Sequence, residues 1–455
     1  MKLAVSVLLF AAAAASSQAQ ELRAGTAQVV VTPPTGTPMA GYYHPRASTG
    51  VHDDLHAKAL VLRQGKTTFA LIACDLIHLP EPVVEASRKL IESETGIPAR
   101  NVMISATHAH TGPVIPGGTS RLVFGGKEAE LAQAYATGLP VRIAGAVKLA
   151  LGSLQLARIR SGAGIQAELT FNRRFHMTDG TVGWNPGKMN PRIVRPAGPI
   201  DPQVGVISLE TTSGAPLATL VNYALHLDTV GGLEISADYP YTLAKTIAAA
   251  RPAITLFTLG CAGNLNHIDV KSAKPQKGHE EAARIGAALG QEVVRTLDSL
   301  ETVKPGLAVE SAIVDLPLAS HDPGEVAWAR QTAATYGKPK PAPFLELVKA
   351  FRILDVEARA KQPLKAEVQA VRLDSDTVLV ALPGEIFTEL GLAIKERSPF
   401  KRTIVVELAN GSIGYVPDRK AFTEGNYEAV SARCAAGSGE RLVEAAIALL
   451  TRLER

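Results

Sequence analysis

Short apolar runs separated by polar turns dominate the chain. Valine, isoleucine, leucine and threonine are concentrated in seven runs, at residues 27–32, 68–74, 101–106, 217–225, 254–259, 377–382 and 403–408. Runs of this length and composition predict buried strands. Apolar residues also recur at near-helical spacing in residues 285–300 and 442–453. This second pattern predicts helices with one apolar face, which would pack on the sheets.

Strands and helices alternate irregularly along the sequence, and several neighbouring strands read as meanders. The pattern therefore predicts an α/β fold with mixed β-sheets in a layered arrangement, flanked by helices and forming one large domain. Residues 320–363 are mostly helical in pattern but are broken by the proline-rich stretch 338–343. That break predicts a surface excursion before the chain returns to the sheets.

The N-terminus has the pattern of a secretory signal peptide. A lysine at position 2 precedes an apolar run from Leu3 to Ala15, and small residues follow up to Ala19. We expect residues 1–19 to be cleaved, leaving one domain over residues 20–455 in a secreted or periplasmic protein. The apolar run is shorter than the roughly 20 residues that a membrane span needs, so no transmembrane segment is expected.

Charge and cysteine content narrow the possible functions. The formal net charge is only +4, which argues against nucleic acid as a partner and leaves a small basic excess that would suit transient contact with a membrane surface. Cys74, Cys261 and Cys434 lie far apart without paired spacing. The sequence thus predicts neither a disulfide framework nor a thiolate metal site, although one pair could still bridge.

Two histidines separated by one residue follow the apolar run that ends at residue 106. Residues i and i+2 of an extended chain project to the same side, so His108 and His110 can face one cavity. Neutral imidazole is a good zinc ligand. The motif alone is weak, because two strand-end histidines bound to backbone or water would look the same.

Two further strand ends carry metal-ligand side chains. His226 follows the run ending at residue 225, and Glu385 follows the run ending at residue 382, where a helix-like segment begins. Two histidines and a glutamate are a common ligand set for catalytic zinc, with one position left for water. Glu385 taken alone could equally complement the dipole of the following helix.

These features occur together with a longer ordered set of segments. The set comprises Ala24–Ala27, Gly50–Ala59, Thr107–Pro113, Phe171–Arg173, Pro383–Glu385, Gly414–Val416 and Gly425–Glu428. In sequence and order it resembles the neutral, non-lysosomal ceramidase family. The segments span nearly all of residues 20–455, and the ordered set is far more specific than any one member.

The resemblance implies a zinc-dependent amidohydrolase that cleaves the N-acyl amide bond of ceramide or a related N-acyl lipid. It implies four zinc ligands: His108, His226, Glu385 and Tyr415. It also implies three catalytic residues on the substrate side: His110, Arg173 and Tyr427. Tyrosine is an unusual zinc ligand, and composition alone would place Tyr415 in the core. Either Arg173 or its neighbour Arg174 could instead be a solvated surface charge.

The chain departs from the family pattern at three places. Leu227 and Asp228 follow His226 where the family commonly has proline and a small hydroxyl residue, and residues 260–268 contain no serine. The resemblance also covers only the catalytic part, without a C-terminal immunoglobulin-like domain. Because no serine is present, the sequence predicts attack by zinc-activated water, with His110 carrying a proton to the leaving amine and no covalent acyl-enzyme.

Other functions stay open at this point. A zinc-dependent esterase or amidase acting on a non-sphingolipid substrate would use the same residues, and a secreted lipid- or glycan-binding protein with a non-catalytic site is a further alternative. A barrel-type amidohydrolase is disfavoured because much chain precedes the histidine pair. The metallo-β-lactamase pattern is absent because no Asp-His follows His110.

Two nearby polar groups have no assigned role. Asp75 follows the run 68–74 and could orient a metal-bound histidine or cap a turn. The segment His52–His56 resembles a metal cluster by spacing, but alternation in a strand would send its neighbours to opposite faces. It is therefore interpreted as a turn that enters a strand.

Overall fold

The structure is a computed structural model, which describes residues 21–117 and 124–454 of the 455-residue chain. The signal peptide predicted at residues 1–19 lies outside the described residues. None of the described helices is both long and apolar enough to span a bilayer.

The described residues form short and long strands in several sheets. The strands are β1 (Leu22–Val30), β2 (Gly50–Val51), β3 (His56–Gln64), β4 (Thr67–Cys74), β5 (Val102–Ala106), β6 (Gln155–Ile165), β7 (Phe171–Asn172), β8 (Arg174–Met177), β9 (Val182–Trp184), β10 (Ile193–Pro196), β11 (Gln203–Thr211), β12 (Pro216–Tyr223), β13 (Glu234–Ile235), β14 (Ile254–Leu259), β15 (Leu265–Asn266), β16 (Glu301–Val303), β17 (Pro305–Leu316), β18 (Leu364–Asp374), β19 (Thr377–Ala381), β20 (Glu385–Ile386), β21 (Arg402–Val406) and β22 (Tyr415–Val416).

Helices connect and cover these sheets. They are α1 (Glu81–Thr95), α2 (Gly126–Gly152), α3 (Tyr239–Ala250), α4 (His279–Leu297), α5 (Pro323–Ala333), α6 (Phe344–Ala358), α7 (Thr388–Arg397), α8 (Arg419–Glu424), α9 (Tyr427–Ser431) and α10 (Ser438–Glu454). One 3-10 turn, Ala99–Asn101, precedes β5.

Two mixed sheets form the centre of the fold. The larger has the strand order β14-β12-β11-β6-β1-β3-β4-β5, with β16 paired to β6, and the smaller has the order β17-β18-β19-β21. Their inner faces share one apolar core, in which Leu71 and Leu220 of the large sheet pack with Leu379 and Ile404 of the small sheet. This face-to-face packing makes the two central layers.

Helices close the outer faces. Helices α1 and α2 pack on the β1–β5 part of the large sheet, α3 and α4 pack on its β11–β14 part, and α7 and α10 pack on the small sheet. The result is a four-layer α–β–β–α arrangement. It confirms the predicted α/β fold with layered mixed sheets, because helices cover the sheet faces that are turned away from the shared core.

Strand direction brings distant parts of the chain to one place. The pairs β4–β5, β12–β14 and β19–β21 are each parallel, so the carboxyl ends within each pair lie together. The two sheets meet at these ends, where Ser105 forms a bridge with Ala409 and the Asn410 amide donates to the Ile104 carbonyl. Loops that leave these strand ends can therefore share one cavity.

The predicted strand positions agree with the structure to within a few residues, apart from the first. The run 27–32 lies partly beyond its strand, because β1 spans Leu22–Val30 and pairs along its whole length with β3. Residues 320–363 form the helical hairpin α5–α6, whose small separate core includes Ala329 and Ile353. The proline-rich stretch separates these helices, as predicted.

Candidate metal centre

His108 lies two residues beyond the end of β5 and is buried. Its backbone has φ of 79°, a left-handed conformation that few residues with a side chain adopt. The amide donates to the Leu76 carbonyl at 2.8 Å, and Nδ1 donates to the Ile77 carbonyl at 2.7 Å. Because the ring proton is used at Nδ1, Nε2 presents a lone pair to the cavity.

The His226 imidazole faces His108 from the end of β12. Its Nδ1 lies 3.4 Å from the Ala262 carbonyl, which leaves its Nε2 as an acceptor too. The two Nε2 atoms are only 3.0 Å apart, and Nε2 of His110 lies 3.3 Å from that of His108. Two opposed lone pairs at this distance repel each other unless a cation lies between them.

Glu385 and Tyr415 reach the same point through a small parallel sheet. They are direct partners in the pairing of β20 with β22, although thirty residues of sequence separate them. Oε2 of Glu385 lies 3.4 Å from Nε2 of His108 and 4.0 Å from Nε2 of His226. This oxygen is buried and has no hydrogen-bond partner among the described residues.

Two glycines allow this close packing. A Cβ at Gly263 would lie 2.6 Å from the Glu385 carbonyl oxygen, so the loop after β14 could not approach β20 with a larger residue. Gly414 has φ of +84° immediately before Tyr415, and a Cβ there would lie 2.6 Å from Arg433. Both positions therefore need glycine for steric reasons.

The protonation states of His110, His226 and Glu385 favour the binding of a cation. Burial lowers the pKa of His110 to about 4 and holds the pKa of His226 well below its ordinary value, so both rings are neutral at pH 7. Burial opposes the ionisation of Glu385, but its contacts with His108, Tyr415 and Arg173 hold its pKa at about 2. Neutral imidazoles beside a carboxylate are the forms that bind metals.

The group formed by His108, His110 and His226 could hold a metal ion. Their ligand atoms all lie within 4.8 Å of one another, and all three residues are buried. The unpartnered Glu385 oxygen and the opposed lone pairs fit an ion at this position, and nitrogen and carboxylate donors are typical of zinc. His110 thus lies close enough to serve as a ligand, whereas the sequence interpretation assigned only two of the histidines, His108 and His226, to the metal, together with Glu385 and Tyr415.

Tyr415 is connected to a buried network of charges. Arg173 donates from a terminal guanidinium nitrogen to the Tyr415 hydroxyl at 3.0 Å and from Nε to Glu428 at 2.8 Å. Arg174 donates to the other oxygen of Glu428 at 2.9 Å. Both arginines are buried, at 5% and 2% exposure, so neither is a solvated surface charge. Glu428, which is fully buried, thereby fixes both guanidinium groups.

A cavity of about 500 Å³ opens beside the histidines, and we call it the aromatic lobe. Tyr427 begins α9, where the Asn426 side chain accepts a hydrogen bond from its amide, and its ring stacks on Trp184 with centroids 4.4 Å apart. Phe344 of α6 stacks on the same pair. Residues of helix α6 thus form part of the lobe wall.

The sequence interpretation missed several polar residues of the site. Asp228 accepts a hydrogen bond from the Tyr42 hydroxyl at 2.6 Å and lies 3.9 Å from Nδ1 of His110. Glu407, fully buried, accepts the Ile386 amide at 2.6 Å, and burial beside Glu385 raises its pKa well above the ordinary value. Asp228 could have been suspected because it follows His226 by two residues, whereas Glu407 has no local signal.

The residues left open in the sequence lie outside the metal centre. Asp75 accepts a hydrogen bond from the His56 amide at 3.0 Å and lies 3.5 Å from Lys58, so it organises a turn rather than His108. Residues 52–55 connect β2 to β3, which begins at His56, as the interpretation of a turn that enters a strand predicted. All three cysteines are free and buried.

Comparisons with known proteins bear on the fold. No protein-family model and no curated protein matches the sequence. Among solved structures, the neutral ceramidase from Pseudomonas aeruginosa matches with a TM-score of 0.71 and 20% identity, over 96% of this chain and 75% of that chain. The chain has the neutral ceramidase fold. A ceramidase complexed with C2 matches with the same TM-score and 19% identity, over 95% of this chain and 76% of that chain. The resemblance predicted from the motifs is therefore confirmed at the level of the fold.

Proposed function

We propose that the protein is a secreted or periplasmic, zinc-dependent amidohydrolase that cleaves the N-acyl amide bond of ceramide or a related N-acyl lipid. The observation that carries the proposal is the pair of Nε2 atoms of His108 and His226, 3.0 Å apart, beside a Glu385 oxygen that has no hydrogen-bond partner among the described residues. His226 also lines the aromatic lobe. The apolar pattern of residues 1–19 supports export.

The ligands in this proposal are His108, His226, Glu385 and Tyr415. A bound zinc ion would supply Lewis-acid polarisation of the amide carbonyl and a source of hydroxide near neutral pH. Arg173 positions Tyr415, since its guanidinium group donates to the phenol oxygen. Burial, together with Glu385, raises the pKa of Tyr415 well above its ordinary value, and the charge of Arg173 opposes that rise.

His110 is the proposed proton carrier. Its ring is neutral at pH 7 and lines both the metal centre and the aromatic lobe, so it can accept a proton from the attacking water and deliver it to the leaving nitrogen. Asp228, 3.9 Å from Nδ1, would stabilise the transient imidazolium. The C–N bond then breaks, and a fatty acid and an amine are released.

The aromatic lobe is the proposed binding site for the acyl chain of the lipid substrate. Tyr427 and Trp184 present stacked rings beside the histidines, and the Tyr427 hydroxyl is the proposed donor to the developing oxyanion. Phe344 and Leu345, at the start of α6, are 41% and 37% exposed and follow a lysine-containing loop. This surface would suit transient contact with a membrane, through which a lipid could enter the lobe.

The test combines metal loading with turnover. We expect zinc-loaded protein to retain about one zinc ion per chain and to melt at a higher temperature than chelated protein, since an ion that binds only the folded state stabilises it. It should release fatty acid from a short-chain N-acyl sphingosine, and chelation should stop the release. Retention of less than about a tenth of an equivalent, with no thermal gain, would contradict the metal assignment.

The same assay separates the amidase from an esterase. The geometry of the histidines would also suit an ester carbonyl, so simple esters and N-acyl amides of equal chain length should be compared. Turnover of esters while every N-acyl amide stays inert would leave the esterase as the function of this site.

Cys261→Ala is expected to retain most of the activity, because this thiol has no access to the substrate. Cys261 is buried, lies against Gly391, and burial raises its pKa well above the ordinary value. The measurement is kcat on the N-acyl amide, with hydroxylamine present to trap an acyl-enzyme. Loss of activity with zinc still bound, together with enzyme-dependent hydroxamate, would point to a thiol nucleophile instead.

A further inference from the structure

A second cavity of about 150 Å³ borders His108 and His110, and we call it the arginine lobe. It shares Tyr42, Tyr427 and His110 with the aromatic lobe, so the two cavities border one reaction centre. Its distinguishing residues are Arg352 of α6 and Arg433, which follows α9. The metal centre thus borders both cavities, and only the smaller one is lined by Arg352 and Arg433.

The positive charge of this lobe is only partly compensated. Arg433 is buried and donates from Nε to Asp355 at 2.7 Å. Arg352 has no ion pair within 4.0 Å among the described residues, although the carboxylate of Glu325 favours its charged form from farther away, and its buried Nε has no hydrogen-bond partner there. Burial lowers the pKa of both guanidinium groups, so each charged form is poorly solvated. An anion bound between Arg352 and Arg433 would stabilise both charged guanidinium groups.

No acidic side chain of the lobe is free to take that place. Glu385 is the one carboxylate among the described residues that line it, and Glu385 belongs to the metal centre. His78 also lines the lobe, but burial lowers its pKa to about 4, so it is neutral at pH 7 and adds no charge. The arginine lobe can therefore accept a negatively charged group, which its own lining residues do not supply.

We propose that the arginine lobe binds a carboxylate on the amine portion of the substrate, so that the preferred substrates are N-acyl amino acids. This inference rests on the proposed amide hydrolysis. The acyl chain would occupy the aromatic lobe, the scissile amide would lie at the histidines, and the carboxylate would meet Arg352 and Arg433. Guanidinium groups bind carboxylates with paired, charge-assisted hydrogen bonds, and a small lobe suits a compact headgroup.

The experiment compares two substrates that differ in headgroup charge. N-lauroylglycine and N-lauroylethanolamine share one acyl chain, and only the first carries a carboxylate. We expect the zinc-loaded protein to favour the acid by about tenfold or more in kcat/KM, the contribution of one charge-assisted hydrogen bond. Arg352→Met should reduce this ratio to near one. Lys349→Met removes a positive charge from the same helix, where Lys349 lies over Trp328 outside the lobe, and should leave the ratio unchanged.

A binding measurement distinguishes failure of this inference from failure of the proposed function. In chelated protein, N-lauroylglycine should raise the melting temperature more than N-lauroylethanolamine does, and Arg352→Met should remove the difference. If the acid binds in this way but no amide is cleaved, the lobe assignment holds and the amidase proposal is wrong. If amides are cleaved but wild-type protein favours neither headgroup, the lobe assignment is wrong. It is also wrong if Arg352→Met weakens inhibition by laurate alone, because the lobe would then bind the acyl product.

Discussion

His108→Ala and His226→Ala are each expected to lose the metal ion and to lower kcat by more than about 100-fold, beyond the effect of losing a group that merely orients a ligand. Each substitution removes one of the two Nε2 lone pairs that face each other at 3.0 Å. The remaining imidazole, Glu385 and Tyr415 would form an incomplete ligand set. Elemental analysis after zinc loading and dialysis is the measurement, followed by turnover of an N-acyl amide.

His110→Ala tests whether this third histidine is a metal ligand or the proton carrier. As the proposed proton carrier, it should retain about one zinc ion and lose turnover. Loss of zinc as complete as in His108→Ala would make His110 a ligand, an arrangement that its 3.3 Å separation from His108 permits. His279→Ala is the matched control, because that ring pairs with Glu234 outside both lobes and should change neither zinc content nor turnover.

The sequence could predict the sheets and part of the metal centre because both depend on local pattern. Apolar runs of six to nine residues identify the strands, and the side chains that follow them must emerge at sheet edges. His108, His226 and Glu385 each follow such a run, so the sequence predicts that they lie at strand ends. Their convergence depends on parallel pairing in three separate places, which no local pattern specifies.

The rest of the site depends on contacts between distant segments. Tyr415 faces Glu385 because β22 pairs with β20, and composition alone would have placed this tyrosine in the core. Glu407 and Arg352 follow no motif, and they reach the site because a strand end and a helix pack there. The local sequence could not predict the burial of Arg174 either, because that burial depends on an ion pair with Glu428, some 250 residues away.

Loss of Glu428 should also cost the protein much of its stability. Its carboxylate is fully buried and accepts hydrogen bonds from Arg173 at 2.8 Å and from Arg174 at 2.9 Å. Truncation would leave two buried guanidinium groups without this counter-charge, and breaking a buried ion pair costs about 3–5 kcal/mol. Glu428→Ala is therefore expected to lower the free energy of unfolding by at least that amount.

Urea unfolding of the chelated protein measures this loss without interference from metal binding. Glu424→Ala is the matched control, because Glu424 also pairs with Arg174, at 3.1 Å, but its side chain is 14% exposed and its removal leaves Glu428 to pair with both arginines. Its loss should therefore cost less than the loss of Glu428. Glu428→Gln keeps the acceptor and should fall between the two. Equal stability of Glu428→Ala and Glu424→Ala would mean that water or another acceptor replaces the carboxylate. In that case Arg173 would not depend on Glu428 for its position against Tyr415, and the support of this proposed ligand would have to come from Arg173's bond to the Gly263 carbonyl.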